Sequence, residues 1–265
     1  MAHRVRLDAE LVRRGLARSR IHAARLIADG RVYASGSPAT KPATQVTSDI
    51  ALLVADDSEQ PDYVSRGGHK LAGALRVFSG LRIAGRHALD AGASTGGFTD
   101  VLLRAGAATV TAVDVGYGQL AWSLRQDERV TVLERTNVRA LTADQLPVRP
   151  DVVVADLSFI SLTKVLHRLL DVAQPEADFL VMVKPQFEVG REAVGKGGVV
   201  RDHGQRVDAV MRVAESAQPN LGVRGVCASQ LPGPAGNVEY FLWLQRDAAA
   251  LLRDEVEKVV SAGPQ

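Results

Sequence analysis

Seven short apolar segments, separated by stretches of helical periodicity, restrict the possible folds of this chain more than any other feature of its sequence. All of them lie after Ser65. The predicted strands are His87–Asp90, Thr109–Asp114, Val130–Leu133, Asp151–Ala155, Phe179–Val183, Val223–Ala228 and Glu239–Leu244. Strands that alternate with helices form a mostly parallel sheet covered by helices on both faces. The sequence therefore predicts an α/β, doubly wound domain over residues 65–265.

The first 60 residues differ in pattern. Apolar residues at helical spacing predict one helix that ends near Gly15, and Ser19 is a suitable N-cap for a second helix that ends at Gly30. Short strand-like pieces follow at 31–34 and 50–54. We predict a small α+β domain over residues 1–60, joined to the second domain by a polar linker at 61–64.

Positive charge is concentrated in that first domain. The whole chain has a net charge of +2, yet residues 1–54 hold nine Lys and Arg against four Asp and Glu. A basic module on a mildly acidic body is typical of polyanion binding, although a solvated Arg-rich face without a ligand is the alternative. We expect the arginines to lie on free helix faces and to contact the phosphates of RNA. The predicted RNA contacts are Arg4, Arg6, Arg13, Arg14, Arg18, Arg20 and Arg25.

The composition excludes several classes of protein. The single cysteine, Cys227, rules out an intramolecular disulfide and a Cys-rich zinc site, and we expect no bound metal. The longest apolar runs, such as Phe179–Val183, fall far short of the ~20 residues that span a bilayer. No apolar leader follows Met1. We expect a cytoplasmic protein without stable membrane association.

A turn of small residues follows the first predicted strand of the second domain. It reads Leu89-Asp90-Ala91-Gly92-Ala93-Ser94-Thr95-Gly96-Gly97-Phe98. Small residues let the backbone approach a ligand closely, and a helix N-terminus offers N–H donors. The glycines lack the G-x-G-x-x-G spacing of dinucleotide sites. A carboxylate at Asp90 suits the methionine ammonium group of S-adenosylmethionine, so we predict that Asp90 and the residues from Gly92 to Phe98 bind this cofactor.

Further polar residues end the next strands. Asp114 ends the second strand and is predicted to accept hydrogen bonds from the ribose hydroxyls of the cofactor, with a helix-capping role as the alternative. Asn137, after the third strand, is predicted to line the adenine pocket. Asp156 ends the fourth strand, in the segment that continues Leu157-Ser158-Phe159, and we expect both Asp156 and Phe159 to contact the cofactor.

Lysine ends the fifth predicted strand. Lys184 closes the apolar run and precedes Pro185, which favours an extended backbone before it. A surface lysine with an apolar stem is the alternative. Two further charged residues complete the candidate catalytic set, Lys70 at the entry to the domain and Glu239 at the start of the last strand.

The order Lys70, Asp156, Lys184, Glu239 resembles the catalytic tetrad of ribose 2′-O-methyltransferases. The N-terminal pattern from Arg6 to Val32 resembles the RNA-binding domain of ribosomal protein S-four. Taken together, the chain resembles TlyA-type rRNA 2′-O-methyltransferases with an FtsJ-like catalytic domain. This resemblance implies a seven-stranded Rossmann-like methyltransferase sheet with its last strand antiparallel. It also implies S-adenosylmethionine as cofactor, and cytidine 2′-hydroxyls of small- or large-subunit ribosomal RNA as substrate.

The resemblance implies roles for the four residues. Lys184 faces the hydroxyl as base or as charge stabiliser, Asp156 and Glu239 orient Lys184, and Lys70 aligns the hydroxyl. Base N-methylation stays open, because the segment from Asp156 to Phe159 is similar to the loop of base amino-methyltransferases. Methylation at cytosine C5 needs a nucleophilic cysteine, and Cys227 lies within an apolar strand.

Two functions from other classes stay open as well. Some relatives carry a haemolysin label, so a membrane-active haemolysin-like protein is one alternative. The other is an RNA-binding assembly factor with an inactive methyltransferase fold. The glycine-rich segment 190–198 is predicted to be a loop that orders over RNA.

Overall fold

The structure is a computed structural model, and it describes residues 4–55, 62–190, 192, 194–195 and 197–264. The acidic segment 56–60 lies outside the described residues, as do Pro61 of the predicted linker and residues 191, 193 and 196 of the glycine-rich segment 190–198. The chain forms two compact units, Met1–Asp62 and Tyr63–Gln265.

The first unit contains two short helices and two small sheets. Helices α1 (Leu7–Arg13) and α2 (Arg20–Ala28) pack on each other, and Ser19 caps α2 by accepting a hydrogen bond from the backbone N–H of His22, as predicted. Leu7, Leu11, Ala23, Leu26, Ile27, Val32 and Val46 are buried between these elements.

The strands of the first unit are more numerous than the sequence predicts. One sheet pairs β1 (Arg4–Arg6) with β4 (Gln45–Thr47). The other has the order β3 (Ser37–Pro38), β2 (Val32–Ala34), β5 (Leu52–Val54). Strands β1, β3 and β4 were not predicted, because strands of two or three residues leave too few positions to show an alternating pattern.

The second unit is built on one seven-stranded sheet, and the predicted fold class is confirmed. Its strands in chain order are β6 (His87–Ala91), β7 (Thr109–Val113), β8 (Val130–Leu133), β9 (Val152–Ala155), β10 (Asp178–Val183), β11 (Gly222–Ala228) and β12 (Tyr240–Gln245). The spatial order is β11-β12-β10-β9-β6-β7-β8. The last strand, β12, lies antiparallel between β10 and β11, as the resemblance implies. Each predicted strand agrees with the structure to within one residue at either end.

Helices cover both faces of this sheet, so its central strands are buried on both sides. The side chains of Leu89 and Val153 pack on one face, against α6 (Leu166–Val172), α8 (His203–Ser216) and α9 (Arg253–Ala262). Neighbouring side chains in the same strands, such as Ala88 and Val152, pack on the other face. The helices there are α3 (Arg66–Val77) and α4 (Gly97–Arg104). The short helices α5 (Trp122–Arg125) and α7 (Pro185–Glu188) complete the set.

The C-terminal helix begins only after an extended segment. α9 begins at Arg253 and ends at Ala262. The backbone carbonyls of Ala248 and Ala249 lie against Gly222 at the start of β11, and the N–H of Val223 bonds to Ala249. These residues therefore extend the chain along the sheet before the helix begins.

Candidate active site

The turn between β6 and α4 is packed tightly against the end of β9. Gly92 has a φ of +89°, and a Cβ atom there would lie 2.6 Å from the backbone oxygen of Asp156. Gly97 is equally confined, since a Cβ atom would lie 2.3 Å from the Ser65 hydroxyl oxygen. The small residues therefore serve the protein's own packing as well as any ligand, because they bring three separate chain segments together beside one turn.

Asp90 lies under this turn rather than on its surface. Its carboxylate is fully buried and accepts a hydrogen bond from the Thr99 hydroxyl at 2.6 Å. Burial raises the pKa of Asp90 to about 7. The strand continues through Ala91, and this alternation directs Asp90 towards α4.

Two of the predicted cofactor residues therefore have structural roles. Neither Asp90 nor Gly96 lines the two clefts described below, as far as the described residues show. Gly96, with a φ of +97°, packs against Leu120 and Leu124. The direct contact of both residues with the cofactor stays a prediction, and this geometry does not support it.

A cleft of about 490 Å³ opens on one side of the turn. Its apolar walls are formed by Val113, Leu157, Ile160 and Val165. The other lining residues include Gly92, Ser94, Asp114, Asn137, Asp156, Ser158 and Phe159. Asp114 accepts hydrogen bonds from the backbone N–H groups of Ser94, at 2.8 Å, and Gly116, at 2.6 Å. Asn137 caps a turn by accepting from the N–H of Arg139 at 3.0 Å. The cleft thus joins a fixed carboxylate to apolar walls.

A second cleft, of about 340 Å³, lies on the other side of the turn and shares four lining residues with the first, namely Gly92, Ser94, Asp156 and Ser158. The turn also contributes Ala93, Thr95, Gly97 and Phe98 to this cleft. Other segments contribute Ser65, Arg66, Gly67, Lys70, Lys184, Pro232 and Pro234. The smaller cleft therefore brings most of the predicted cofactor turn together with three of the four predicted catalytic residues, Lys70, Asp156 and Lys184.

Lys184 points into this cleft from the end of β10. Its Nζ atom lies 2.5 Å from Oδ1 of Asp156 and donates a hydrogen bond to the Ser158 hydroxyl at 2.9 Å. Lys184 is 9% exposed. An amine held by two groups inside a cleft has a fixed orientation, so Lys184 is not a lysine that extends its head group into solvent.

Lys70 forms a second buried pair with Glu239. The Nζ atom of Lys70, on α3, donates to Oε2 of Glu239 at 2.5 Å, and the two residues are 7% and 1% exposed. The sequence interpretation assigned Glu239 to Lys184. The structure corrects this. Helix α3 brings Lys70 to Glu239, which lies just before β12, while Asp156, just after β9, pairs with Lys184.

Phe159 is the most exposed large apolar residue of the described part of the chain. It is 92% exposed, has a φ of +64° and lies with its ring centre 5.3 Å from that of Phe187. A left-handed backbone conformation at a phenylalanine lowers the stability of the fold, and such strain is found most often at functional sites. Its place in the wall of the larger cleft is compatible with the predicted cofactor contact.

The predicted RNA-binding arginines are less free than expected. Arg14 donates to the carboxylate of Glu10 and to the carbonyls of Ile50 and Ser48, and its side chain is only 23% exposed. Arg14 is therefore a structural tie between α1 and the loop before β5. Arg6, Arg13 and Arg20 bond to buried carboxylates but keep exposed side chains. Arg18 pairs with Asp62, Arg25 with Asp29, and Arg4 is exposed.

Some residues of the site were missed. Ser158 holds the amine of Lys184, and its position two residues after Asp156 was the only signal available. Arg66, at the start of α3, and Gln119, in a loop, also line the clefts, but an exposed arginine or glutamine has no distinguishing pattern in the sequence.

The surroundings of Cys227 do not favour a cysteine nucleophile. Cys227 is buried within β11, and burial raises the pKa of its thiol to about 11, which opposes a thiolate nucleophile. Within the described ranges, no three His, Cys, Asp or Glu residues lie close enough to bind a metal ion. A helix that is both long and apolar enough to span a bilayer is absent from those same residues.

Comparison with known proteins agrees with this geometry. Residues 63–246 match the FtsJ-like methyltransferase family, and residues 5–49 match the S4 domain. The chain is 59% identical to the 16S/23S rRNA (cytidine-2′-O)-methyltransferase TlyA of Mycobacterium tuberculosis, in an alignment of 271 positions that covers 100% of both proteins. It is 36% identical to hemolysin A of Brachyspira hyodysenteriae, over 89% of this chain and 98% of that one.

A solved structure is similar over nearly the whole length. A Streptococcus thermophilus protein, described as a possible hemolysin, is 35% identical with a TM-score of 0.75, covering 98% of this chain and 96% of that one. The chain therefore belongs to the FtsJ-like methyltransferase family and carries an S4 domain before its methyltransferase domain.

Proposed function

We propose that this protein transfers a methyl group from S-adenosylmethionine to the 2′-hydroxyl of a cytidine in ribosomal RNA. The observation that carries the proposal is the pair of buried ion pairs, Lys184–Asp156 and Lys70–Glu239, beside the turn between β6 and α4. They come from four distant segments of the chain. Two buried amines, Lys184 at the carboxyl end of β10 and Lys70 on α3, are costly to stability, and such cost is typical of a catalytic site.

The larger cleft suits the nucleoside part of the cofactor. Asp114 offers carboxylate oxygens for ribose hydroxyls, Asn137 lies beside the apolar walls, and the turn from Gly92 to Ser94 separates this cleft from the smaller one. When bound, S-adenosylmethionine supplies a methyl group on a positively charged sulfur. The residues around the clefts must then hold the acceptor oxygen and exclude water.

Lys184 is proposed to meet the acceptor oxygen. A ribose hydroxyl is a weak nucleophile, so its developing charge needs a nearby donor or its proton needs an acceptor. The contact with Asp156 and Ser158 holds the amine at a fixed position, which favours a stabilising hydrogen bond to the oxygen. Lys70, fixed by Glu239 in the same cleft, would orient the ribose.

Ribosomal RNA is the proposed substrate because two independent features agree. The name of the M. tuberculosis relative specifies cytidines of 16S and 23S rRNA. The first unit carries an S4 domain match and exposed arginines, and cationic side chains bind the RNA backbone chiefly through its phosphates.

Lys184→Ala tests the catalytic assignment. We expect methyl transfer to ribosomal RNA to fall by at least about 100-fold, since the charge stabiliser is lost, while affinity for S-adenosylmethionine changes little. Lys258→Ala is the matched control, because Lys258 is an exposed lysine on α9. Turnover of Lys184→Ala near that of the wild type would remove the assignment.

Product analysis separates this function from its rivals. Nucleosides from methylated RNA should contain 2′-O-methylcytidine, whereas a base-methylated nucleoside would favour the reading of the segment from Asp156 to Phe159 as a base methyltransferase loop. Leakage of liposomes with the pure protein, in the absence of S-adenosylmethionine, would favour a haemolysin-like activity instead.

A further inference from the structure

Two buried carboxylates on α1 organise the arginines around them. Glu10 is 1% exposed and accepts from Nε and Nη2 of Arg13, at 2.7 and 2.6 Å, and from Nε of Arg14 at 2.7 Å. Asp8 is 4% exposed and accepts from Nε and Nη2 of Arg6, at 3.0 and 2.8 Å. Each carboxylate therefore holds one guanidinium group in a bidentate pair.

Asp8 also receives an arginine from another element. Arg20, at the start of α2, donates to Oδ2 of Asp8 from Nη2 at 3.1 Å. Arg6 ends β1, so a single carboxylate sets the spacing between guanidinium groups of a strand and a helix. The pKa of Asp8 is lowered to about 2 by its hydrogen bonds to Arg6, and then to Arg20, so this carboxylate is ionised at neutral pH.

The cations of these pairs stay accessible while the anions do not. The side chains of Arg6, Arg13 and Arg20 are 44%, 61% and 58% exposed, against 5% or less for their carboxylate partners. A bidentate pair uses one edge of the planar guanidinium and leaves its other N–H groups for a second anion. A phosphate would therefore meet guanidinium groups and not the acids behind them.

We propose that Asp8 and Glu10 are positioning residues for RNA binding, because they fix Arg6, Arg13 and Arg20 in the orientation that meets phosphates. This inference rests on the proposed RNA substrate. A free arginine side chain loses rotamer freedom equivalent to ~2 kcal/mol when a ligand immobilises it. Side chains that are fixed before binding avoid much of that loss. The acids lower the net positive charge of the module, yet they favour binding.

The test compares two substitutions that change the charge of the module equally. Glu10→Gln and Asp49→Asn each remove one negative charge from the first unit. Asp49 is exposed and its carboxylate bonds to Thr47; Arg14 lies close enough to lower its pKa, but the described hydrogen bonds and ion pairs join no arginine to it. If charge alone sets affinity, both variants bind RNA more tightly than the wild type. The positioning role predicts that Glu10→Gln binds about 3–10-fold more weakly, while Asp49→Asn binds equally or more tightly.

The probes are protein-free ribosomal RNA and purified ribosomal subunits, with affinity measured by filter binding at several salt concentrations. The KM for RNA should rise in Glu10→Gln while kcat at saturating RNA stays unchanged. Thermal unfolding of each variant checks that the first unit stays folded. Tighter binding by Glu10→Gln overturns the proposal.

A double-mutant cycle separates positioning from general stability. If Glu10 acts through Arg13, the effect of Glu10→Gln on affinity should shrink in an Arg13→Ala background. Additive effects would contradict the proposal. Should Glu10→Gln unfold, Glu10→Asp carries the test, since it keeps the charge but shortens the side chain. Weaker binding then supports positioning, and wild-type affinity overturns it. Failure of the wild type to bind either RNA probe would instead reject the proposed substrate.

Discussion

The two units of this protein use ion pairs in opposite ways. In the first unit the anion is buried and the cation is exposed: the side chain of Arg13 is 61% exposed and that of Glu10 only 1%. In the second unit the cation is buried as well, since the side chains of Lys70 and Glu239 are 9% and 1% exposed. The first arrangement presents positive charge to a large ligand. The second encloses charge, where the low local dielectric strengthens its effect on a reacting atom.

Removal of one cation should show this difference most strongly. Lys70→Met leaves Glu239 buried without its partner, and we expect the free energy of unfolding to fall by about 3–5 kcal/mol. Arg13→Ala should cost much less, because the Arg13 side chain is mostly exposed and Glu10 keeps Arg14 as a partner. Urea denaturation of both variants measures the two losses. Equal losses would contradict the distinction.

The double variant Lys70→Met with Glu239→Leu sharpens the result. Replacement of a whole buried pair by apolar residues is often neutral to stability. We therefore expect the double variant to regain most of the free energy of unfolding that Lys70→Met loses. Methyl transfer should not recover, because the amine proposed to orient the ribose is still missing. A double variant as unstable as Lys70→Met would mean that the pair stabilises the fold in its own right.

The dependence of stability on pH should also differ in sign between the units. Burial raises the pKa of Asp90 to about 7, so between about pH 4 and 7 the folded state binds a proton that the unfolded state releases. The contribution of Asp90 to the free energy of unfolding should thus fall by about 1.4 kcal/mol for each unit by which the pH rises across that window, and Asp90→Asn should remove this contribution.

The acids of the first unit should act in the opposite direction. The pKa of Glu10 is lowered to about 2 by hydrogen bonds from Arg13 and then Arg14, and the pKa of Asp8 is lowered to about 2 as well. Their contribution to stability is present above about pH 4 and is lost as the pH falls towards 2. Amide hydrogen exchange across this range resolves the two units separately. Parallel trends in both would contradict the assignment.

RNA affinity provides a smaller effect that is confined to the first unit. Arg13→Ala should weaken RNA binding about 3–10-fold and lower the dependence of affinity on salt by about one phosphate contact. Lys184→Ala should change both much less, because Lys184 is proposed to contact a single ribose hydroxyl and no phosphate. Filter binding over a salt series measures this. A fall in kcat at saturating RNA for Arg13→Ala would place that arginine in catalysis instead.

The sheet was predictable from sequence because its strands are buried on both faces. Val152–Ala155 and Asp178–Val183 are wholly buried, and such strands appear as continuous apolar runs. The residues that end these runs, Asp156 and Lys184, could be placed at one edge of the sheet for the same reason. The approach of Lys70 from α3 followed only from the family resemblance.

Pairing and exposure could not be predicted. Sequence order does not state which carboxylate faces which lysine, so Glu239 was assigned to Lys184 although its partner is Lys70. The cofactor contact of Asp90 stays a prediction, but its burial under the turn and its bond to Thr99 could not be foreseen from the sequence. Both the pairing of Glu239 and the burial of Asp90 depend on register and twist across the fold, which no local pattern specifies.

Arg13 and Arg14 show this limit most clearly and yield the smallest predicted effect. The two neighbours look alike in the sequence, but Arg14 bonds to Glu10 and to the carbonyls of Ile50, at 2.7 Å, and Ser48, at 2.9 Å. Arg14→Lys keeps the charge and loses the fixed fork that reaches all three acceptors. We expect the free energy of unfolding to fall by about 1 kcal/mol.

RNA binding should respond to Arg14→Lys much less than stability does. The side chain of Arg14 is mostly buried. The affinity of the Arg14→Lys variant for RNA should therefore stay within about two-fold of the wild type, with a similar dependence on salt. Thermal unfolding and filter binding on the same preparation measure both quantities. The contrary result would be a loss of RNA affinity as large as that of Arg13→Ala, without a loss of stability. It would show that Arg14 contacts RNA although its side chain is mostly buried and bonds to backbone carbonyls.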